Sequence, residues 1–345
     1  MNGGMKNPRH ILVIGGAGHI GSGLVRALLL RGYRTRVLDS LLYDNISSIT
    51  GLLDCTNFSF VEGDFCDENI SNESLANITD VVLLGALVGD PICKKYPELA
   101  RRINEKGAIE LFDALNTHHI NRFIFISTCS NYGLRDSCEY ATEESELNPQ
   151  SLYAETKVNA ERYILRNKDN VKFSATILRL ATAYGISERM RFDLTVSNFC
   201  RELTLGRKLI VYDENSWRPY CHVADISEAI IRVIEGPEEK VRGEIFNVGS
   251  STENYTKKAL VEMILSHLTR SSVLYTGGIS DPRNYRVSFD KITSKLGFKK
   301  KFSIRESTLE LIRAIKNGSF DDVDRRKEFY GNYSIKEKSI QGISL

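Results

Sequence analysis

A glycine-rich turn between an apolar strand and a helix is the feature that most constrains how this chain can fold. Residues 10–14 form a short apolar, β-branched run of the kind that becomes a strand buried on both faces. Gly15, Gly18 and Gly21 follow at GxxGxxG spacing, and apolar residues then recur at helical intervals as far as Arg31. Such glycines permit a tight turn and a close backbone approach to a diphosphate at the helix N-terminus. The pattern predicts a dinucleotide-binding unit, although a turn that binds nothing would share it locally.

The end of the second predicted strand indicates which dinucleotide is expected. Residues 34–38 form this strand, and Asp39 follows it where a ribose-binding acid belongs in such a unit. A carboxylate there accepts hydrogen bonds from the adenosine hydroxyls and repels a 2′-phosphate. No arginine directly follows Asp39. The sequence therefore favours NAD over NADP.

Strands and helices alternate through the first half of the chain. Further strands are predicted near 58–61, 81–84, 123–126 and 175–178, and helices over 97–117 and 153–166. This rhythm predicts an α/β fold with a Rossmann-type, doubly wound parallel sheet. The periodicity weakens after Gly185, so a smaller C-terminal α/β substrate-binding lobe is expected over the carboxyl ends of the strands.

Three regions are therefore predicted. Residues 9–185 would form the NAD-binding domain. Residues 186–320 would form mainly the substrate lobe, with some segments returning to the first domain. Residues 321–345 would be a charged C-terminal tail, either a terminal helix or a loose segment.

Composition excludes several classes of protein. The 345 residues include 46 basic and 44 acidic side chains, a net charge of +2, which gives no bulk field for nucleic acid. Seven cysteines, an odd number without metal-type clustering, suggest reduced thiols. The sequence has no secretory leader pattern and no apolar stretch of the roughly eighteen residues that span a bilayer. We expect a cytoplasmic protein without a metal site, a membrane partner or a nucleic-acid partner.

Tyr153 and Lys157 are the residues that point to chemistry. On a helix they project from one face, one turn apart. The ammonium can lower the pKa of the phenol and can hydrogen-bond a nicotinamide ribose, while the hydroxyl of Thr128 can orient the reacting oxygen of a substrate. Such a pair also occurs by chance on solvated helix faces. Downstream of the glycine turn, it predicts hydride transfer with tyrosine as the acid/base.

The motifs, taken in order, resemble those of the extended short-chain dehydrogenase/reductases over about residues 9 to 300. More narrowly, they resemble the NAD-dependent nucleotide-sugar epimerase/dehydratase family. The matching segments are Gly15-x-x-Gly18-x-x-Gly21, Asp39, Gly63-Asp64, Ser127-Thr128, Tyr153-x-x-x-Lys157 and the run from Arg218 to Asp225. The resemblance implies NAD as cofactor, a nucleotide-diphosphate sugar as substrate, and a homodimer formed through the helices at 97–117 and 151–166.

The resemblance also implies a set of site residues. Asp64 and Phe65 would hold the adenine, Ala86 and Leu87 would line the cofactor cleft, and Asn104 would lie beside it. Thr128, Tyr153 and Lys157 would be catalytic. The full cofactor set is Gly15, Gly18, His19, Ile20, Gly21, Asp39, Asp64, Phe65, Ala86, Leu87, Asn104, Tyr153 and Lys157.

Arginines suit the two charges of a diphosphate. Arg218 is the first candidate, with Trp217 and Tyr220 as a possible aromatic wall, and the resemblance implies Arg283 as the second. Arg283 could equally be a surface residue. Arg191, beside Arg189, is a further candidate clamp that could equally be structural.

Departures from the family pattern bear on the reaction type. In the 4,6-dehydratase branch, Asp-Glu follows the catalytic threonine, whereas here Cys129 and Ser130 do. A serine is not a general base at neutral pH unaided, so dehydration by this route is not expected. Cys129 could be an acid/base or a small buried residue. The first hypothesis is 4-epimerisation, although nothing in the sequence separates an epimerase from a net dehydrogenase on the same substrate. A net dehydrogenase or ketoreductase on a 4-keto nucleotide sugar, or a non-catalytic NAD-sensing regulator, remains an alternative.

Overall fold

A computed structural model describes residues 9–136, 139–269, 272–277 and 283–335. Cys138, the Asp281-Pro282 pair before Arg283 and residues 336–345 of the predicted tail lie outside these ranges. The strands are β1 (His10–Ile14), β2 (Arg34–Asp39), β3 (Phe58–Glu62), β4 (Asp80–Leu83), β5 (Arg122–Thr128), β6 (Tyr140–Ala141), β7 (Ser174–Leu180), β8 (Thr182–Tyr184), β9 (Lys208–Tyr212), β10 (Trp217–His222), β11 (Ile245–Val248), β12 (Asn254–Thr256), β13 (Ser272–Thr276) and β14 (Arg286–Val287).

The helices connect and cover these strands. They are α1 (Gly21–Leu30), α2 (Glu68–Ser74), α3 (Asp90–Lys95), α4 (Pro97–Arg101), α5 (Ala108–Ala114), α6 (Leu152–Asn167), α7 (Thr195–Thr204), α8 (Val223–Glu235), α9 (Glu238–Val241), α10 (Lys257–Leu265), α11 (Asp290–Leu296) and α12 (Ile304–Lys316). Within the described ranges, no helix is both long and apolar enough to cross a bilayer.

Seven strands form one sheet in the order β11-β7-β5-β4-β1-β2-β3, and every neighbouring pair is parallel. The predicted doubly wound fold is thereby confirmed. The chain order reverses between β1 and β4, so a crevice opens outside the carboxyl ends of these two strands. The strand β11, which the sequence did not single out, returns from the second half of the chain to pair with β7.

Alternation along β1 shows why the central runs are apolar throughout. Ile11 and Val13 pack into a core that includes side chains of α1 and α8, whereas Leu12 and Ile14 pack into a second core with α5 and α6. Both faces of the sheet are covered, which explains a strand without polar alternation. A third core lies in the second lobe between α7, α10 and α12.

The predicted helix over 97–117 is a continuous helical run with a π turn in its middle. The turn, Arg102–Gly107, lies between α4 and α5, and a short 3₁₀ turn, Leu115–Thr117, ends the run. π turns inside helices often occur at functional sites because they re-aim a side chain. Here the turn contains the buried Asn104.

The charged stretch from Asp321 is neither a terminal helix nor a loose tail as far as Ile335. Val323, Phe329 and Tyr330 are buried in the core of the second lobe. The charged residues of this segment are interspersed with apolar side chains that pack into the core of the second lobe. The expectation of an unpacked tail is therefore wrong for residues 321–335.

A buried ion pair fixes α6 against the ends of β5 and β7. Glu161 and Arg179 are 1% and 3% exposed in their side chains, and Arg179 Nη2 lies 2.7 Å from Glu161 Oε2. Ser127 Oγ also donates to Glu161, as does Asn131 Nδ2 at 2.8 Å. Since the carboxylate has partners on three other segments, removing it would leave a buried guanidinium uncompensated.

We predict that Glu161→Ala lowers the free energy of unfolding by roughly 3–5 kcal/mol, the usual cost of breaking a buried pair. Glu155→Ala on the same helix is the matched control, because its partner Arg101 is half exposed. That change should cost less than about 1 kcal/mol. Urea unfolding of both variants measures the difference, and equal losses would show that the buried pair does not organise this region.

Candidate active site

A cavity of about 570 Å³ lies at the carboxyl ends of the central strands and reaches into the second lobe. It brings together most of the predicted site residues, although they come from distant parts of the chain. Those lining it are Gly15, Gly18, His19, Ile20, Gly21, Asp39, Asp64, Phe65, Ala86, Thr128, Tyr153, Lys157, Arg191, Arg218 and Arg283. Leu87 and Asn104 do not line it.

The glycine turn is packed too tightly for side chains. Gly15 has φ +82, and a Cβ there would lie 2.6 Å from the amide nitrogen of Gly85. A Cβ at Gly21 would collide with the carbonyl oxygen of Gly15. The turn therefore holds bare backbone at the start of α1, as an approaching diphosphate requires.

His19 adds a buried polar atom to this turn. Its Nδ1 lies 2.7 Å from Ser187 Oγ and 3.0 Å from the carbonyl oxygen of Arg189. Its Nε2 is buried and has no hydrogen-bond partner among the described residues. Burial, reinforced by Arg191, lowers the pKa of His19 to about 3, so the imidazole is neutral. An orphaned nitrogen at a cavity wall fits a site built for a polar ligand.

Asp39 holds the glycine turn while lining the cavity. Its Oδ2 accepts from the amide of Ala17 at 3.0 Å, and its Oδ1 accepts from the amide of Leu41 at 2.9 Å. Burial raises the pKa of Asp39, and the two amides oppose that shift. Each carboxylate oxygen keeps acceptor capacity, so the arrangement fits a ribose diol.

The next cavity wall comes from the end of β3. Asp64 Oδ2 pairs with Arg102 Nη1 at 2.8 Å, and its Oδ1 accepts from the amide of Cys66 at 3.0 Å. Phe65 beside it is 8% exposed and lines the cavity. A fixed carboxylate next to an aromatic ring fits an adenine, the role that the sequence predicted for both residues.

Leu87 and Asn104 support the cavity from behind. The Leu87 side chain is fully buried in the core, so the prediction that it lines the cleft is wrong. The side-chain amide of Asn104 makes two hydrogen bonds with the backbone of Leu87. Its Oδ1 accepts from the Leu87 nitrogen at 2.7 Å, and its Nδ2 donates to the Leu87 carbonyl oxygen at 2.9 Å. The π turn thus fixes the loop that presents Ala86 to the cavity.

The predicted catalytic residues converge on the cavity from β5 and α6. Ser151 caps α6 by accepting from the amide of Ala154 at 3.3 Å, and this helix carries Tyr153 and Lys157. Thr128 Oγ1 accepts from the amide of Ser130 at 3.1 Å, which leaves the hydroxyl proton to point elsewhere. Such a hydroxyl can donate to an oxygen of a bound molecule.

Electrostatics at the tyrosine differ from the expected pattern. Burial raises the pKa of Tyr153, with Cys93 and Asp90 adding to the shift and Arg191 and Arg283 opposing it. The expected cation, Lys157, instead donates to the carbonyl oxygen of Ile126 at 2.9 Å. The cations acting on the phenol are therefore arginines of the second lobe, and the expectation that Lys157 does so is not met by the described contacts.

The charged form of Lys157 is destabilised by burial. Burial lowers its pKa to about 8, and the nearby Glu161 limits the fall. The ammonium therefore begins to lose its proton close to neutral pH.

The two positions after Thr128 face different ways. Cys129 is buried, and its Sγ donates to the carbonyl oxygen of Arg179 at 3.2 Å. Burial raises the pKa of this thiol well above its usual range, so it is not a thiolate. Ser130 lines the cavity and lies 3.3 Å from Arg283 Nη1 and 3.4 Å from the Tyr285 hydroxyl.

Each predicted substrate arginine lines the cavity, and Arg191 and Arg283 pair with carboxylates. Arg191 makes a two-pronged contact with Asp193, at 3.0 and 2.5 Å. Arg283 Nη1 lies 2.9 Å from Asp90 Oδ2. Arg218 Nη1 donates to the carbonyl oxygen of Trp217 at 2.7 Å.

The aromatic wall beside Arg218 is not the predicted one. Tyr220 is fully buried in the lobe core, and the ring of Trp217 lies under Arg286. Tyr285 takes their place, with its ring centroid 5.4 Å from the Arg218 guanidinium. Trp217 is the immediate neighbour of Arg218 on β10 and therefore points to the opposite face of the strand.

Several cavity residues were missed by sequence reasoning. Asp90 had a weak signal, since an Asp-Pro pair after a buried strand often begins a helix. The others are brought in by tertiary packing alone; they are Asn198, Tyr285, Asn332 and Tyr333. Among the described residues, no cluster of three or more His, Cys, Asp or Glu side chains could hold a metal ion.

Comparison with known proteins decides the family. Residues 11–249 match the model of the NAD dependent epimerase/dehydratase family. The chain belongs to this family. The resemblance to extended short-chain dehydrogenase/reductases is thereby confirmed, as are the predictions of an enzyme and of NAD as its cofactor.

Relatives within the NAD-dependent epimerase/dehydratase family include both reaction types. The chain is 28% identical to a dTDP-glucose 4,6-dehydratase of Streptomyces niveus, over 88% of this chain and 91% of the relative. It is 29% identical to a UDP-glucose 4-epimerase of Corynebacterium glutamicum, over 84% and 90%. The solved dTDP-glucose 4,6-dehydratase of Streptomyces venezuelae, with NAD bound, superposes with a TM-score of 0.80 at 26% identity, covering 90% of this chain and 98% of that one.

The buried ammonium of Lys157 gives a pH-dependent prediction. The fall of the Lys157 pKa from 10.5 to about 8 corresponds to a destabilisation of the folded protein by roughly 3 kcal/mol. Because the unfolded chain binds this proton more tightly, the cost is fully present below about pH 8 and disappears as the pH rises towards 10.5. The stability of Lys157→Met relative to the unmodified protein should therefore fall over that range. Denaturant unfolding at several pH values measures it; the exposed Lys106→Met is the control, and a constant difference contradicts the prediction.

Cofactor choice gives a second prediction. Asp39→Ala should weaken NAD about tenfold, because it removes a ribose acceptor and loosens the turn at Ala17, and should weaken NADP less. Asp54→Ala, which changes an exposed acid that does not line the cavity, is the control. Titration calorimetry with both cofactors measures the preference. Tighter binding of NADP than of NAD by the unmodified protein would show that Asp39 does not set the choice.

Proposed function

We propose that this enzyme is an NAD-dependent nucleotide-sugar 4-epimerase, with Tyr153 as the acid/base. The observation that carries the proposal is a single cavity lined by the glycine turn, by Asp39, by Tyr153 with Thr128, and by arginines of the second lobe. A dinucleotide and a sugar nucleotide both fit such a lining, since each presents a diphosphate and a ribose. The named relatives act on nucleotide sugars, which supports the same substrate class here.

Each catalytic side chain has a role that its contacts support. When bound, NAD supplies a hydride acceptor and donor for a sugar carbon. Tyr153 removes the proton of the sugar hydroxyl, assisted by the positive charges of Arg191 and Arg283. The Thr128 hydroxyl orients the same oxygen, and Lys157, anchored on the Ile126 carbonyl, is placed to hold the nicotinamide ribose.

Epimerisation is favoured over 4,6-dehydration by the two residues after Thr128. Elimination of water needs an acid and a base besides the tyrosine. Cys129 is buried outside the cavity with a raised thiol pKa, and Ser130 offers only a hydroxyl. A 4-epimerase needs no such pair, because one proton carrier serves both directions of a reversible oxidation.

The substrate diphosphate is assigned first to Arg218. Its guanidinium lies over Tyr285, which supplies a wall for the nucleotide. Arg283, which pairs with Asp90, is the second candidate. We further propose a homodimer through the helices at 97–117 and α6, and a cytoplasmic location, as the sequence suggested.

Tyr153→Phe should lower turnover by roughly 10²–10⁴ while NAD affinity survives, because only the acid/base is removed. Thr128→Val should be milder, since it removes orientation rather than the proton acceptor. Tyr163→Phe on the same helix is the control, because that hydroxyl bonds Asp113 outside the cavity.

The measurement begins with a panel of UDP-, GDP-, CDP- and dTDP-sugars, with products identified by mass and NMR. Single-turnover NADH absorbance then compares the variants on the best substrate. Full conversion without accumulated NADH supports an epimerase, whereas NADH that persists supports the alternative, a net dehydrogenase. Undiminished NAD reduction by Tyr153→Phe would overturn the tyrosine mechanism, and no turnover of any sugar nucleotide would favour a non-catalytic NAD sensor.

A further inference from the structure

The chain returns to the cavity after its last helix, α12. Residues 329–333, here called the C-terminal strap, begin with two buried aromatic side chains, Phe329 and Tyr330. The ring of Tyr330 lies 5.9 Å from that of Phe192, and the Tyr330 carbonyl oxygen accepts from the Phe192 amide at 2.7 Å. The strap is therefore anchored beside the segment that carries Arg191 and Asp193.

Asn332 then joins the two halves of the site. Its Nδ2 donates to the Val88 carbonyl oxygen at 2.9 Å, in the loop that follows β4. Its Oδ1 accepts from Arg189 Nη2 at 2.9 Å. Its backbone amide donates to Asp193 Oδ2 at 3.2 Å, the carboxylate oxygen that also holds Arg191. With 6% exposure and three partners, this residue is built into the site.

Tyr333, the next residue, differs from Asn332 in its exposure. It lines the cavity yet is 49% exposed, so core packing does not account for its position. Its neighbours through Asn332 are Asp193 and Arg191, at the end of the cavity where Tyr153 lies. A half-exposed tyrosine offers a flat apolar face and a hydroxyl, the combination that suits a sugar ring.

We propose that the C-terminal strap is part of the substrate site, with Tyr333 contacting the sugar of the nucleotide sugar and Asn332 as a positioning residue for the Arg191–Asp193 pair. This inference rests on the proposed function for the identity of the substrate. The strap extends the site beyond residues 11–249, where the family model matches.

The contact role predicts a change in substrate affinity alone. Tyr333→Ala should raise the KM for the nucleotide sugar about tenfold, with kcat and the NAD dissociation constant changing less than about threefold. Tyr333→Phe, which keeps the ring, should recover most of the loss. Lys327→Ala is the control, because that exposed side chain lies just before the strap and outside the cavity.

The positioning role of Asn332 predicts a larger loss of kcat/KM than the loss expected for Tyr333→Ala. Asn332→Ala should lower kcat/KM by about ten- to a hundredfold, because Arg191 loses its fixed orientation near Tyr153. NAD affinity and the melting temperature are measured beside it. Should Asn332→Ala unfold, the exposed Tyr333 still decides the proposal.

The outcomes separate the strap from the proposed function. If the unmodified protein binds no sugar nucleotide of the panel, the proposed function fails and the strap's role fails with it. If the unmodified protein turns one over and Tyr333→Ala keeps its KM within about twofold, the strap proposal alone is overturned. A loss of NAD affinity equal to the loss of substrate affinity would also overturn it, since it would indicate a general loosening of the cavity.

Discussion

The carboxylate of Glu161 is the buried charge against which helix α6 is packed. It lies inside the protein, paired with Arg179 on β7 and bonded by Ser127 and Asn131 at the end of β5. Burying an ion pair is costly unless the remaining polar atoms are also satisfied, and here the neighbouring segments supply those bonds. Since Ser127 immediately precedes Thr128, and Glu161 lies one turn beyond Lys157 on α6, the same contacts fix the proposed catalytic residues Thr128, Lys157 and Tyr153 relative to one another.

This charge also acts on the protonation of Lys157. Burial pulls the pKa of Lys157 down to about 8, and Glu161 is the first group that opposes the fall. The tyrosine is partly buried, and the arginines that counter its raised pKa come from the second lobe. The two lobes are therefore coupled electrostatically: the first supplies the phenol and ammonium, and the second supplies the cations that make the phenol more acidic.

Sequence reasoning located the parts of this arrangement that depend on local pattern. The central strands, the glycine turn, Asp39 and the Tyr153–Lys157 pair could be predicted because each rests on spacing along a few residues. Glu161 could not, since on a helix it looks like any surface glutamate until Arg179 is placed beside it. Tyr285, Asn332 and Tyr333 reach the cavity only through tertiary packing, and the Leu87 side chain is buried in the core, where Asn104 bonds its backbone. The periodicity of the local sequence reveals none of these positions.

The carboxylates of the cavity constrain its chemistry. Four aspartates and no glutamate occur among its described lining residues. Asp39 accepts two backbone amides, Asp64 pairs with Arg102, Asp90 with Arg283, and Asp193 with Arg191. Although burial acts against it, Arg191 holds the pKa of Asp193 below its usual value. A carboxylate engaged by a guanidinium is a poor proton acceptor, because taking a proton forfeits the pair. These pairs support the proposal that Tyr153 carries the proton, and a single proton carrier suits a reversible oxidation at one carbon better than the removal of water across two.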